Sequence, residues 1–506
     1  MNDNNRTQNT TRNVVSGLTN KVILLVLSFI SRKIFINYIG VEYLGINSLF
    51  ANVLTILSLA DMGFGIAMSY SYYKPLANKD EETLGALVQF YKKIYNIIAL
   101  VVTVVGIAFI PFLRYVVNTE AKIDHLYIYY LIALANTVIS YLFVYKSNMV
   151  SADQKSYLVN KIQLRVNFTK MVVQMICVIT FKNYMIYALL DVVATLANNL
   201  IVSHTADVLY PFINKDDIKP LAPKVKKDIY SNLKSVFLYK FSASIMSGTD
   251  SIIMSTLIGT AVVGMYSNYL TITTQINAFI QIVFSSFTAS IGNLIIEDHE
   301  QKNYRVFRVM QMTSHVLSGA IAVCLLTLTN DFISLWLGPE YNMGNLMAIA
   351  VTANTYFTIS LQPIWSYREA SGLYNKTKYV MVATAVLNIV LSVIMGMSMG
   401  APGIIFATVL SRVLTYFWYE PFLVYKLYFN HSPIEYYLDY GVSIMLIIVA
   451  YAISSYIFTR FSLSGWIEWG VHAIIAGAVS LIIYFVRYGW TVEFRELLEK
   501  LKHLHN

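Results

Sequence analysis

Charge is what this 506-residue chain has least of. Asp, Glu, Lys and Arg make up 13% of it, while hydrophobic residues fill 57%. A soluble globular domain carries about 25% charged residues. The shortage excludes a soluble enzyme, a DNA-binding protein and a disordered scaffold as descriptions of the whole chain. Cysteine is nearly missing too: Cys177 and Cys324 both sit in apolar stretches, so there is neither a disulfide framework nor a metal-ligand spacing. The eight histidines are scattered, and the closest pair, His503 and His505, stands in a tail rather than in an HExxH frame. No GxxxxGK(S/T) phosphate loop occurs, which argues against ATP hydrolysis. No interruption between apolar blocks is long enough for a soluble catalytic domain. The expectation is therefore a non-enzyme without catalytic residues, cofactor or metal, and with no nucleic-acid partner.

What the chain does have is apolar blocks of spanning length, about 20 residues each. They fall near 15–37, 44–71, 90–113, 125–149, 156–181 and 184–208, and after a charged interruption near 232–258, 262–290, 306–329, 344–367, 378–399 and 402–427. Two more, near 438–459 and 467–487, precede a polar tail. Val22–Ile30 has the length of a signal-peptide core, but no small-x-small cleavage site follows, so it reads as part of the first span. The fold class is an all-α polytopic membrane protein with about 14 transmembrane helices. With the N-terminus inside, 29 Lys and Arg fall on the cytoplasmic side and six outside, which places both termini in the cytoplasm. The domain plan is a disordered tail over 1–13, an N-lobe over 14–208, a cytoplasmic linker over 209–229 and a C-lobe over 230–427. An appended helix pair follows over 428–487, then a cytoplasmic tail over 488–506.

Six spans per half send both halves into the membrane in the same direction, which predicts parallel repeats. An offset of 219 residues aligns Lys21 with Lys240, Ser28 with Ser247, Ile34 with Ile253 and Ile39 with Ile258. It also aligns Gly40 with Gly259, Gly45 with Gly264 and Ser48 with Ser267. Two such lobes would enclose a central cavity. In the fifth span Gln163, Asn167, Lys170, Gln174 and Cys177 recur at steps of 4, 3, 4 and 3, which puts them on one helical face. The second span has a stripe of Thr55, Ser58, Asp61, Gly65 and Ser69, and the eighth has Thr274, Asn277, Gln281, Ser285 and Thr288. In the tenth, Thr355, Thr358, Gln362 and Ser366 share a face, with Pro363 able to kink the helix. Small and hydroxyl residues also serve dry helix packing, so Lys170 among carboxamides is the strongest cavity signal. Ionisable groups at membrane depth are expensive and normally face protein or water. The expected cavity cations are Arg32, Lys33, Lys170 and Arg412, against Asp61 and Asp250 as ion-coupling or structural acids. That balance favours an anionic ligand.

The stretch Ser31-Arg32-Lys33-Ile34-Phe35-Ile36-Asn37-Tyr38-Ile39-Gly40-Val41-Glu42-Tyr43-Leu44-Gly45, followed by Leu59-Ala60-Asp61-Met62-Gly63-Phe64-Gly65, resembles the opening of Wzx-type polysaccharide flippases. These belong to the multidrug/oligosaccharidyl-lipid/polysaccharide exporter superfamily. The run Thr249-Asp250-Ser251 through Gly259 and Gly264-Met265-Tyr266-Ser267 resembles the start of their second half. The resemblance implies an alternating-access flippase for undecaprenyl-diphosphate-linked oligosaccharide in the bacterial plasma membrane. It implies membrane lipids as partners, with the glycosyltransferases and polymerase of the same pathway. It also implies Arg32 as a cavity residue, with Lys170 and Arg412 beside it. Two rivals stay open. A cation-coupled drug or metabolite exporter of the same superfamily would depend on Asp61 and Asp250. A membrane-embedded polysaccharide polymerase or acyltransferase would need a catalytic group at an outer loop, where His125 is the only histidine.

Overall fold

The computed structural model describes residues 23–58, 64–214, 220–221, 223–296, 300–460 and 463–503, and all regular structure among them is helical. The expected tail over 1–13, part of the linker and Asp61 lie outside the described residues. Eight helical stretches among the described residues are long and apolar enough to cross a membrane, or nine when one bent pair is counted as a single span. The chain divides into two compact units, Met1–Gly264 and Met265–Asn506.

The first unit contains α1 (23–38), α2 (Val41–Leu57), α3 (Phe64–Asn78), α4 (Glu81–Phe109) and the one-turn α5 (Leu113–Val116). It continues with α6 (Leu126–Tyr141), α7 (Val144–Ala152), α8 (Ser156–Phe181), α9 (Tyr184–Leu209) and α10 (Pro223–Leu257). The next helix, α11 (Thr260–Ile296), begins in this unit. Helix α4 starts where its sequence requires it to: the Asp80 carboxylate accepts the Thr83 N–H at 2.9 Å, and Glu81 and Glu82 lie in the positive first turn.

The 219-residue repeat has a backbone cause. Gly40, at φ +103°, makes the turn into α2, and its counterpart Gly259, at φ +147°, makes the turn into α11. Both conformations are costly for any residue with a Cβ. Five residues further on, Gly45 and Gly264 meet where α2 crosses the start of α11. A Cβ on Gly45 would overlap the Thr260 carbonyl, and one on Gly264 would overlap the Val41 carbonyl. Val41 and Thr260 are themselves matched at the same offset, so the close approach is reciprocal. Residues 116–119 fasten the same corner. Thr260 N donates to Asn118 O at 2.7 Å, Asn118 N donates to Thr260 Oγ1 at 3.1 Å, and Ser255 Oγ donates to Val116 O at 2.7 Å.

The fourth apolar block is not one straight helix. Helices α6 and α7 meet at 42°, with Leu142 extended and Phe143 at φ +69°. Neither Pro nor Gly marks the break. A side chain from elsewhere sustains it: Asn199 Nδ2 on α9 donates to Ile139 O at 2.7 Å and to Leu142 O at 2.9 Å. The Ile139 carbonyl also accepts from Leu142 N at 3.0 Å, so it is the Leu142 carbonyl that Asn199 chiefly satisfies.

The second unit holds the rest of α11, then α12 (Glu300–Trp336), α13 (Gly344–Ser360), α14 (Gln362–Ser371), α15 (Tyr374–Met399), α16 (Ala401–Leu414) and α17 (Tyr416–Val424). The appended α18 (Ile434–Phe458) and α19 (Gly465–Tyr488) follow, with the terminal α20 (Val492–His503). Pro363 sits in the first turn of α14, where its missing N–H leaves no helical bond unmade. The appended pair packs along α12. Gly319 leaves room for the Tyr484 ring, and Tyr484 Oη lies 3.0 Å from Ser443 Oγ. Trp469 Nε1 donates to Leu328 O at 3.2 Å. At the other end Arg308 reaches Asp439 at 2.7 Å and Glu493 at 3.4 Å, which ties α12, α18 and α20 together.

Candidate functional site

A cavity of about 300 Å³ opens beside the break in the fourth span, within the first unit. Helices α6, α7, α8 and α9 build it. Gln163, Asn167 and Lys170 come from α8, Thr195, Asn198 and Asn199 from α9, and Ser140 from α6. Phe143, Val144 and Ser147, the N-terminal turn of α7, complete one wall. Irregular backbone at membrane depth persists only where it is buried in protein or lines a water-accessible space, and a half-helix N-terminus presents the positive end of its dipole. The second segment α7 is anchored by Lys146, whose Nζ lies 2.7 Å from Asp207 and 2.9 Å from Ser203 Oγ on α9.

Among the described residues the polar lining is carboxamide and hydroxyl, with a single ammonium and no carboxylate. Carboxamides both donate and accept, which suits a polyhydroxyl ligand. Asn198 Oδ1 is buried without a hydrogen-bond partner among the described residues, so an acceptor stands ready. Lys170 lies close to the midpoint of α8, and its Nζ is 2.9 Å from Asp191 Oδ1 on α9; both side chains are about one-quarter exposed, at 25% and 24%.

Of the residues expected from sequence, Gln163, Asn167 and Lys170 share this cavity. Gln174, from the same stripe, is buried and braces α8 against α9 by donating to Tyr187 O at 3.0 Å. Arg32 is half-buried on α1, within electrostatic reach of Tyr187, whereas the adjacent Lys33 is exposed. Asp250 is buried in α10, next to Ser251, whose Oγ accepts from Asn52 on α2 at 2.9 Å. In the second unit Gln281 is exposed on α11. Arg412 and Gln362 converge there on Thr358, the first donating to its Oγ1 at 2.9 Å and the second to its carbonyl at 3.4 Å. Among the described residues, then, the expected set falls in several places rather than one.

The sequence reading missed the α9 wall. Asp191, Thr195, Asn198 and Val202 recur at steps of 4, 3 and 4, so the stripe was there to be read, inside a block already assigned as the sixth span. The missing Asp191 also corrects the charge balance: Lys170 is not an open cation but half of an ion pair.

The apolar helices make the chain a multi-pass membrane protein. No family model matches the sequence, and no curated protein matches it either. Solved structures do match. Lipid II flippase MurJ in an inward closed conformation gives a TM-score of 0.63 at 14% identity, over 96% of this chain and 99% of that one. An inward-facing multidrug resistance MATE family transporter of the MOP superfamily gives 0.57 at 15% identity, over 79% and 94%. A MOP superfamily transporter from Pyrococcus furiosus, reported with a binding pocket of reversed polarity, gives 0.58 at 13% identity, over 81% and 93%. These neighbours are transporters and flippases rather than enzymes, and the chain has their fold.

Proposed function

We propose that the chain is a flippase of the Wzx type. It would carry undecaprenyl-diphosphate-linked oligosaccharide from the cytoplasmic to the outer leaflet of a bacterial plasma membrane by alternating access. The observation that carries this reading is the extent of the likeness to the lipid II flippase. Coverage of 96% of the chain leaves about 20 residues unmatched, fewer than either α18 or α19 contains, so both appended helices take part in the match. The MATE likeness, over 79% of the chain, does not require them. The cavity lining, rich in carboxamides and without a carboxylate among the described residues, supports a sugar head group over a cationic drug.

In this reading spans 1–6 over 14–208 form the N-lobe and spans 7–12 over 230–427 the C-lobe. The linker over 209–229 and both termini are cytoplasmic, and the appended pair over 428–487 offers a surface for the lipid tail. Arg32, Lys33 and Arg412 supply positive charge along the route, and Asp61 and Asp250 serve as coupling or structural acids. A sugar-diphosphate head cannot cross hydrocarbon unaided, whereas its lipid tail never leaves it. With the cytoplasm negative, moving two negative charges outward gains roughly 4–5 kcal/mol at ~100 mV, so the potential can drive the cycle without ATP.

The test is the sidedness of lipid-linked oligosaccharide in membranes depleted of the protein, read with an impermeant sugar-modifying enzyme on intact spheroplasts. Single repeats accumulating out of the enzyme's reach are the expected result. Accumulation on the outer face would point to a polymerase, and no accumulation to the drug-exporter reading.

A further inference from the structure

The pairing of Lys170 deserves a function of its own. Among the described residues Lys170 is the only charged one that lines the first-unit cavity, and Asp191, which holds it, does not line the cavity. The ammonium is therefore held by a carboxylate of α9, while its side chain lines a space shared with Gln163, Asn167 and Asn198. Only one carboxylate oxygen, Oδ1, is within hydrogen-bond distance, at 2.9 Å. An ammonium has three donors, so Lys170 keeps capacity toward the cavity. The α7 N-terminal turn, which also lines the cavity, adds a second positive element.

We propose that Asp191 is a built-in counter-ion that masks Lys170 until an oxyanion carried on a sugar competes for it. The site thereby becomes a recognition pocket for an anionic sugar group. The inference rests on the flippase reading and adds a rule of selection to it. A bare ammonium at mid-membrane would bind any small anion that reached it. An ammonium already satisfied by Asp191 releases only to a ligand that also gains hydrogen bonds from the carboxamides. Neutral sugars would leave the pair closed, and free inorganic anions would compete poorly. The oxyanion can come from a diphosphate linkage or from a sugar carboxylate, and both share the chemistry of a negatively charged oxygen beside hydroxyls.

The experiment measures binding of inorganic pyrophosphate and, separately, of methyl glucuronide to the purified full-length protein in nanodiscs, by calorimetry. Wild type, D191N, D191E, K170Q and the K170Q/D191N double variant are compared. The mask predicts that D191N binds pyrophosphate about tenfold more tightly than wild type. D191E should stay near wild type, and K170Q and the double variant should lose the gain. The probe that gains more from D191N names the source of the oxyanion. A D191N protein that binds both probes no more tightly than wild type overturns the proposal, as does a gain that survives in the double variant. If D191N fails to give a monodisperse protein, Asp191→Ser takes its place under the same criteria. No flipping is measured, so the result stands apart from the spheroplast assay: either can fail while the other succeeds.

Discussion

Each unit interrupts one apolar block, the first sharply at an extended Leu142 and a left-handed Phe143, the second at Leu361, which keeps helical dihedrals, and the surroundings are opposite. In the first, the 16-residue α6 breaks before a 9-residue continuation, α7. In the second, the 17-residue α13 breaks before the 10-residue α14. Each continuation is anchored by a basic side chain reaching an acid two apolar blocks later: Lys146 to Asp207 at 2.7 Å, and Arg368 to Glu420 at 3.0 Å. Beside the first break the filling is polar, with Asn199 on the freed carbonyls and a cavity next to it. Beside the second it is aromatic. Phe357 of α13 lies 5.8 Å from Phe417 of α17, and Phe417 lies 5.0 Å from Tyr440 of the appended α18. A broken span thus supplies an opportunity, and its neighbours decide between a site and a core. Burial follows the same line: 11% and 6% of the central residues of α8 and α9 are buried, against 44% for α12.

Removing one partner of each anchoring pair should separate the two regions most sharply. Arg368 and Glu420 are 5% and 2% exposed, whereas Asp207 is 29% exposed. Glu420→Gln takes the nearer of two acids from a buried guanidinium, leaving Glu369 at 3.9 Å, and should cost about 3 kcal/mol. Asp207→Asn leaves Lys146, itself 9% exposed, with Ser203 Oγ, and should cost less, about 2 kcal/mol, because the lost partner is 29% exposed. Thermal unfolding in a single detergent measures both, and equal losses would erase the distinction between dry and wet anchors.

Next in size is Phe417→Ala, which empties the aromatic filling beside the second break and should cost about 3 kcal/mol. A loss below about 1 kcal/mol in the same unfolding assay would mean that Tyr440 and Phe357 hold that region without it. Asn199→Ala comes third. It deprives the Leu142 carbonyl of its donor, at about 1–3 kcal/mol, while Ile139 O keeps Leu142 N–H. Because water can enter from the cavity, Asn199→Ser should recover most of this. If neither variant shifts the midpoint, the first break does not depend on α9.

The smallest effect belongs to Asp80→Ala, a helix cap outside both breaks and in water. The Thr83 hydroxyl and N–H hold the Asp80 carboxylate below its ordinary range. A carboxylate whose folded value is lowered contributes stability above its unfolded value, near 3.9, and loses it as pH falls through the folded one. The gap between variant and wild-type midpoints should therefore stay constant from pH 8 to 5 and close only in more acid solution. A gap that already narrows at pH 6 would show that another group controls this end of α4.

Much of the molecule was legible in advance. Apolar blocks at 156–181 and 184–208 match α8 (Ser156–Phe181) and α9 (Tyr184–Leu209) within a residue, because Lys182 and Asn183 stop the run between them. The glycines at 40 and 259 mark turns that a residue with a Cβ would resist, so the repeat was visible as identities. The Gln163, Asn167 and Lys170 stripe was visible because a helical period needs only one helix. The break at Leu142-Phe143 was not, since it carries neither Pro nor Gly and depends on Asn199, 57 residues away. Arg412 could be flagged as costly at depth, yet its partner Thr358 lies 54 residues earlier.

By itself, then, the sequence determined that the chain is a membrane-embedded bundle, where its spans run, and which helical faces are polar. Hydropathy and period are properties of consecutive residues, and the bilayer imposes its length on each span separately. Only the tertiary structure decided which polar face meets a cavity, that Lys170 is held by Asp191, and that one broken span opens while the other is filled. Those outcomes depend on charges and rings that approach one another across tens of residues, and nothing local in the chain specifies which will meet.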